Sequence, residues 1–132
     1  MADKIPFDLV SPERLLLSDE AEMVTLPGTE GDFGVLPGHA PVISTLKPGV
    51  IDVKGGSTGD ARFFVMGGFA EVNPGKLTVL AEEALPLAEV DAAALDQRIK
   101  NTEEDILTAK TESERAKAVE SLDSLKILRA AL

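Results

Sequence analysis

All 11 glycines of this 132-residue chain lie between Gly28 and Gly75, all 8 prolines between Pro6 and Pro86, and all 5 phenylalanines between Phe7 and Phe69. The last 46 residues contain none of the three. Glycine and proline punctuate strands and turns but are expelled from helix interiors, so the segregation predicts two architectures joined in series. The change falls in "EEALPLAEVD", residues 82 to 91, dividing a domain over 1–86 from one over 87–132.

Before the boundary, runs rich in Val, Ile, Leu and Phe alternate with turn signals: "FDLV", "EMVTLP", "DFGVLP", "PVISTL", "VIDVKG", "RFFVMGG", "FAEVNPG" and "KLTVLAEE". Such spacing reads as an antiparallel β-sandwich of about 8–10 strands. In "VIDVK" Ile51 and Val53 share one face while Asp52 and Lys54 share the other, as a half-buried strand requires. "NPG" and "GGSTGD" read as hairpin links, and "MGGF" as a bulge or sharp bend.

After the boundary the period changes. Val90 and Leu95 flank Asp91 as a hydrophobic staple flanks an N-cap, and Leu95, Ile99 and Ile106 continue one face of a helix over about Ala92 to Ala109. Thr111 and Glu114 form a capping box for a second helix striped by Ala118, Leu122, Leu125 and Leu132. The segment is a helical hairpin with two narrow apolar stripes.

Charge and chemistry narrow the function. The net charge of −10 repels a phosphate backbone, so nucleic-acid binding is not expected. There is no cysteine, and no uncharged apolar run approaches the roughly 20 residues of a membrane-spanning helix, so direct membrane insertion is not expected. His39 is the only imidazole, which excludes a multi-histidine metal site, and no G-x-S-x-G elbow accompanies it. In "PGHAP" it reads as part of a rigid surface turn rather than a catalytic base. "GGSTG" lacks the lysine of a phosphate-binding loop, and the 23 acids form no evident catalytic pair. The expectation is a chain with no catalytic residues, metal or cofactor.

"EGDFGVLPGHAPVISTLKPGVI", with "VNPGKLTVLAEEA" behind it and "FDLVSPE" before it, resembles the epsilon subunit of F-type ATP synthases, the counterpart of the mitochondrial delta subunit. The resemblance covers nearly the whole chain. It implies a non-catalytic subunit of the rotating central stalk, on the cytoplasmic face of a bacterial inner membrane, linking the gamma subunit to the membrane rotor ring. By motif position it implies ring contacts at Glu30, Gly31 and Asp32 and gamma contacts at His39, Ala40, Val42, Ile43, Ser44 and Thr45.

For the hairpin the resemblance implies contact with the alpha/beta catalytic head and control of hydrolysis. Some relatives bind ATP there through I/L-D-x-x-R-A, and the nearest candidates here are Asp96, Arg98 and Arg129. Arg98 falls one position early, and "LKILRA" has Lys126 where an acid belongs. Residues 111 to 132 hold four acids and four bases, so weak inhibition is expected. The alternative is a nucleotide-sensing module whose hairpin closes over its ligand.

Overall fold

The computed structural model describes residues 3–132, which separate into two compact units, one ending at Ala88 and the other spanning Glu89–Leu132. The first unit is built from ten strands. These are β1 Ile5–Val10, β2 Leu15–Ala21, β3 Met23–Gly28, β4 Gly31–Val35, β5 Val42–Leu46, β6 Gly49–Gly56, β7 Gly59–Val65, β8 Gly68–Asn73, β9 Lys76–Ala81 and β10 Ala84–Pro86. They form a hydrogen-bonded path β10-β7-β6-β3-β5-β8-β9-β1-β2, with β4 paired to β3.

Alternation explains why these segments are strands. Ile5, Phe7 and Leu9 of β1, Ile51 and Val53 of β6, and Leu77, Val79 and Ala81 of β9 all point into one core. Between them Asp8, Asp52 and Thr78 turn outward and are only partly buried. Pro27 is tolerated inside β3 because its neighbour Asp32 sits at a position where no amide donor is required, while its carbonyl accepts the amide of Lys47 at 2.9 Å. β2 and the residue after it also reach β6 and its turn: the Glu22 amide donates to the Lys54 carbonyl at 2.9 Å, extending the β3–β6 ladder, and the Ser57 amide to the Asp19 carboxylate at 3.2 Å.

Three features differ from the sequence expectation. β2 carries none of the alternation sought, because "LLLSDEA" lies at the edge of the path with Leu15 56% exposed. β10, within the expected boundary segment, pairs Ala84, Leu85 and Pro86 with β7 and is followed by a 3₁₀ turn over Leu87–Glu89. One pairing is parallel: Phe7 to Val10 lies beside Leu77 to Leu80. The "MGGF" signal marks a bend at Met66 and Gly67 between β7 and β8.

The second unit is an α-helical hairpin, α1 Ala92–Thr108 and α2 Glu112–Ala131. Asp91 caps α1 by accepting the amides of Ala93 and Ala94 at 2.9 and 3.2 Å. Thr111 accepts the Glu114 amide at 3.1 Å, but Glu114 reaches back to the Lys110 amide, one residue before the cap itself. On α1, Thr102 is buried between half-buried Ile99 and Ile106; its hydroxyl donates to the Arg98 carbonyl at 2.8 Å, which satisfies the one polar group on that stripe. On α2 the stripe runs Leu122, Leu125 and Leu128, whereas Leu132 is 45% exposed, because the helix ends at Ala131. Among the described residues no helix is long and apolar enough to cross a membrane.

Asp8 supplies a test of how the outer face is held. Its carboxylate is bonded to Lys76 at 2.9 Å and accepts from the Ser18 hydroxyl at 2.8 Å, and these partners, Lys76 foremost, hold its pKa below the usual aspartate value of 3.8. A depressed carboxylate stabilises the fold above its unfolded pKa, and that contribution is lost as pH falls through the folded value. Asp8→Asn mimics the protonated form. Its stability deficit in urea titrations is therefore expected to be constant from pH 7 to about 5 and to close at pH values below 3.8. A deficit that persists unchanged at pH 3 would show that the carboxylate charge is not what matters there.

Candidate functional site

The residues singled out as ring and gamma contacts stand on two arms. The first is the β3–β4 hairpin, whose turn is Thr29 and Glu30. Gly28 must be glycine, because a Cβ there would lie 2.7 Å from the Gly31 carbonyl oxygen and 2.9 Å from the Phe33 ring. Gly31 has φ of +129°, so the turn lifts Glu30 and Asp32 into solvent on a stiff tip.

The second arm is the loop after β4 together with β5. Gly38 at φ +84° allows a tight turn in which the His39 amide donates to the Leu36 carbonyl at 3.1 Å. The Gly38 amide donates to the Pro74 carbonyl, also at 3.1 Å, tying this loop to the β8–β9 turn. His39 is half-buried, and its Nδ1 donates to the Ala40 carbonyl at 2.7 Å, leaving Nε2 as the ring's other polar atom. The ring is thus oriented by backbone.

The arms share a root. The Thr29 amide donates to the Thr45 carbonyl at 3.1 Å, and Gly28 stands opposite Leu46. From there they diverge around a groove of about 610 Å³ whose walls include Glu30, Gly31, Asp32, His39, Ala40, Val42, Ile43, Ser44 and Thr45. The structure therefore brings both sets of candidates onto one concavity. The rest of its wall is Gly28, Thr29, Phe33 and Pro41, so the wall carries two acids and no Lys or Arg. Ile43 is 74% exposed and Val42 40% exposed. Ser44 spends its hydroxyl on the Thr45 carbonyl at 3.2 Å.

Sequence reasoning passed over two neighbours of this surface. Phe69 stands directly opposite Thr45 on β8 and is 45% exposed, and Leu36 is 53% exposed at the start of the loop. Phe69 was readable in "FAEV", since alternation that buries Ala70 and Val72 turns Phe69 and Glu71 outward.

The nucleotide candidates fare differently. Asp96 and Arg129 are together, joined at 2.8 Å across the open end of the hairpin. Arg98 lies two positions after Asp96 on α1, and side chains two apart on a helix do not face each other. Among the described residues no three His, Cys, Asp or Glu side chains converge as a metal site would need.

Residues 4–87 match the family model described as the ATP synthase Delta/Epsilon chain beta-sandwich domain. The chain is 55% identical over 129 residues to the ATP synthase epsilon chain of Parvibaculum lavamentivorans, covering 98% of both. It is 46% identical over 132 residues to that of Mesorhizobium japonicum, covering 100% of this chain and 98% of the relative. Among solved structures, a chain of the Euglena gracilis mitochondrial ATP synthase, solved with OSCP, F1 and c-ring, superposes with a TM-score of 0.81 at 27% identity, covering 97% of this chain and 81% of that one. A chain from the Tetrahymena thermophila mitochondrial ATP synthase central stalk and c-ring shares the fold at 19% identity, with a TM-score of 0.73 over 98% and 96% of the two chains.

Proposed function

The chain belongs to the ATP synthase delta/epsilon family, and from that premise we propose that it links the gamma subunit to the membrane rotor ring at the groove between β3–β4 and β5. It is a non-catalytic accessory subunit of the ATP synthase central stalk. Glu30, Gly31 and Asp32 on the hairpin tip face the polar loops of the ring, and His39, Ala40 and Val42 to Thr45 face gamma. The complex sits against the cytoplasmic side of a bacterial inner membrane, with this subunit peripheral to it.

One observation supports the reading above the rest: Ile43 and Val42 are exposed large apolar side chains on a strand whose turns are fixed by Gly38, Pro37 and Pro41. A preformed apolar surface binds with little ordering cost, since its backbone is already in the bound shape. The α1–α2 hairpin reaches the alpha/beta head and adjusts hydrolysis. Its Asp96 and Arg129 are occupied with each other, which favours this reading over nucleotide sensing.

Ile43→Asp tests the gamma face. The side chain is 74% exposed in the free chain, so folding should be unaffected. In the complex an unpaired carboxylate would be buried, and affinity for isolated gamma subunit should fall about 100-fold, or about 2.7 kcal/mol. Unchanged affinity in a calorimetric titration would move the gamma contact elsewhere.

A further inference from the structure

We infer that the groove between β4 and β5 receives an extended, cation-bearing segment of a partner chain as an added β-strand, bonded through backbone as well as side chains. The inference rests on the stalk assignment above and adds the form and charge of what enters the groove.

The hydrogen-bond pattern carries it. β5 pairs with β8 along one side through all of Val42 to Leu46. On its other side only the root is engaged, by the Thr45 carbonyl with the Thr29 amide and by the Lys47 amide with the Pro27 carbonyl. Those two bonds fix the direction of the strand's polar groups. In a β-strand the N–H and C=O of one residue point the same way, and those of alternate residues repeat it. The Thr45 N–H and both polar groups of Ile43 therefore point toward the groove, and among the described residues no hydrogen bond reaches them.

β4 lies on the opposite side of β3 from β5. Its turn has two residues, which makes Gly28 and Gly31 the closing hydrogen-bonded pair, so Phe33 and Val35 also bond to β3. The polar groups of Asp32 and Gly34 face away from β3, and β4 has no further strand beyond it. The bare edge on the groove of about 610 Å³ is therefore that of β5, beyond its root with β3. Proteins usually blunt such edges with lysine, proline or a bulge. Within β4 and β5 themselves there is no lysine, proline or register shift.

The occupant's charge follows from the wall. Glu30 and Asp32, both exposed, are its acids, and no Lys or Arg lines the groove. A segment carrying Lys or Arg would pair with them while its main chain completes the ladder on β5, as in other strand-addition complexes.

Proline separates this from docking by side chains alone. Ile43→Pro removes the amide aimed into the groove but none from the β5–β8 ladder, whereas Ile43→Ala removes the side chain and keeps the amide. In ATP synthase stripped of this chain and reconstituted with each variant, Ile43→Pro should bind at least tenfold more weakly than Ile43→Ala. Hydrogen exchange on the wild-type chain needs no variant: on assembly the amides of Ile43 and Thr45 should slow about 100-fold or more. Equal affinities of the two variants, or unchanged exchange at those amides in a complex that retains the wild-type chain, overturn strand addition and leave the stalk assignment standing. Failure of the stripped complex to retain the wild-type chain overturns the stalk assignment itself.

Discussion

Gly68→Ala is expected to cost the sandwich about 3–5 kcal/mol, a large part of the 5–15 kcal/mol that holds a typical domain together. Gly68 has φ of +143°, a region that residues with a Cβ rarely enter, and it lies within the sheet between Leu46 of β5 and Ala81 of β9. A Cβ placed there would stand 2.0 Å from the Leu80 carbonyl oxygen and 2.9 Å from the Ala81 Cα. Both are backbone atoms of the β8–β9 ladder and cannot yield without breaking it. Gly31→Ala is the control, because Gly31 shares the positive φ, +129°, but a Cβ there meets nothing within 4 Å. It should cost only the conformational strain, about 1–2 kcal/mol. Urea midpoints of the two variants decide the matter, and equal losses would show that strain alone, without the clash, sets the cost at Gly68.

Ending the chain after Ala88 is expected to leave a subunit that still couples ATP hydrolysis to proton pumping while removing whatever control the hairpin exerts. The strands, and the buried cluster that joins them, lie before that point. The hairpin contributes two helices whose caps, Asp91 and Thr111, belong to their own unit. The truncated chain should unfold cooperatively, as a domain with its own core does. Added to complexes lacking the subunit, it should restore ATP-driven pumping, with hydrolysis rising only modestly because residues 111 to 132 balance four acids with four bases. A truncated chain without a cooperative transition, or one that binds yet leaves pumping uncoupled, would make the hairpin part of the structural core.

How much of this could be read from sequence depended on whether the signal was local. Ile51 and Val53, alternating with Asp52 and Lys54, announced β6, and Asp91 and Thr111 announced both helix starts, because these patterns arise within one strand or one turn. β2 was silent for a physical reason: an edge strand with Leu15 exposed and Leu16 and Leu17 half-buried does not need strict alternation. Leu128 replaces Leu132 in the buried stripe because the final residue falls past the last helical turn. The groove is legible only in part. Its residues could be named from the family's motif, but their shared concavity depends on the bond between Thr29 and Thr45, whose polar atoms are backbone and leave no mark on residue type.

The parallel pairing of β1 with β9 also sets the order in which the protein can be completed on the ribosome. Phe7, Leu9 and their neighbours emerge first, yet the strand that flanks them, Leu77 to Leu80, is made about 70 residues later. At translation rates of about 5–20 residues per second, the first strand must wait several seconds with its apolar face uncovered on that side. The β2 hairpin partner, with Asp19 and Glu20 on its edge, is available at once and can hold β1 in the interval. Closure of the sandwich is therefore a late event in the life of the nascent chain, governed by a long-range loop rather than by any local preference.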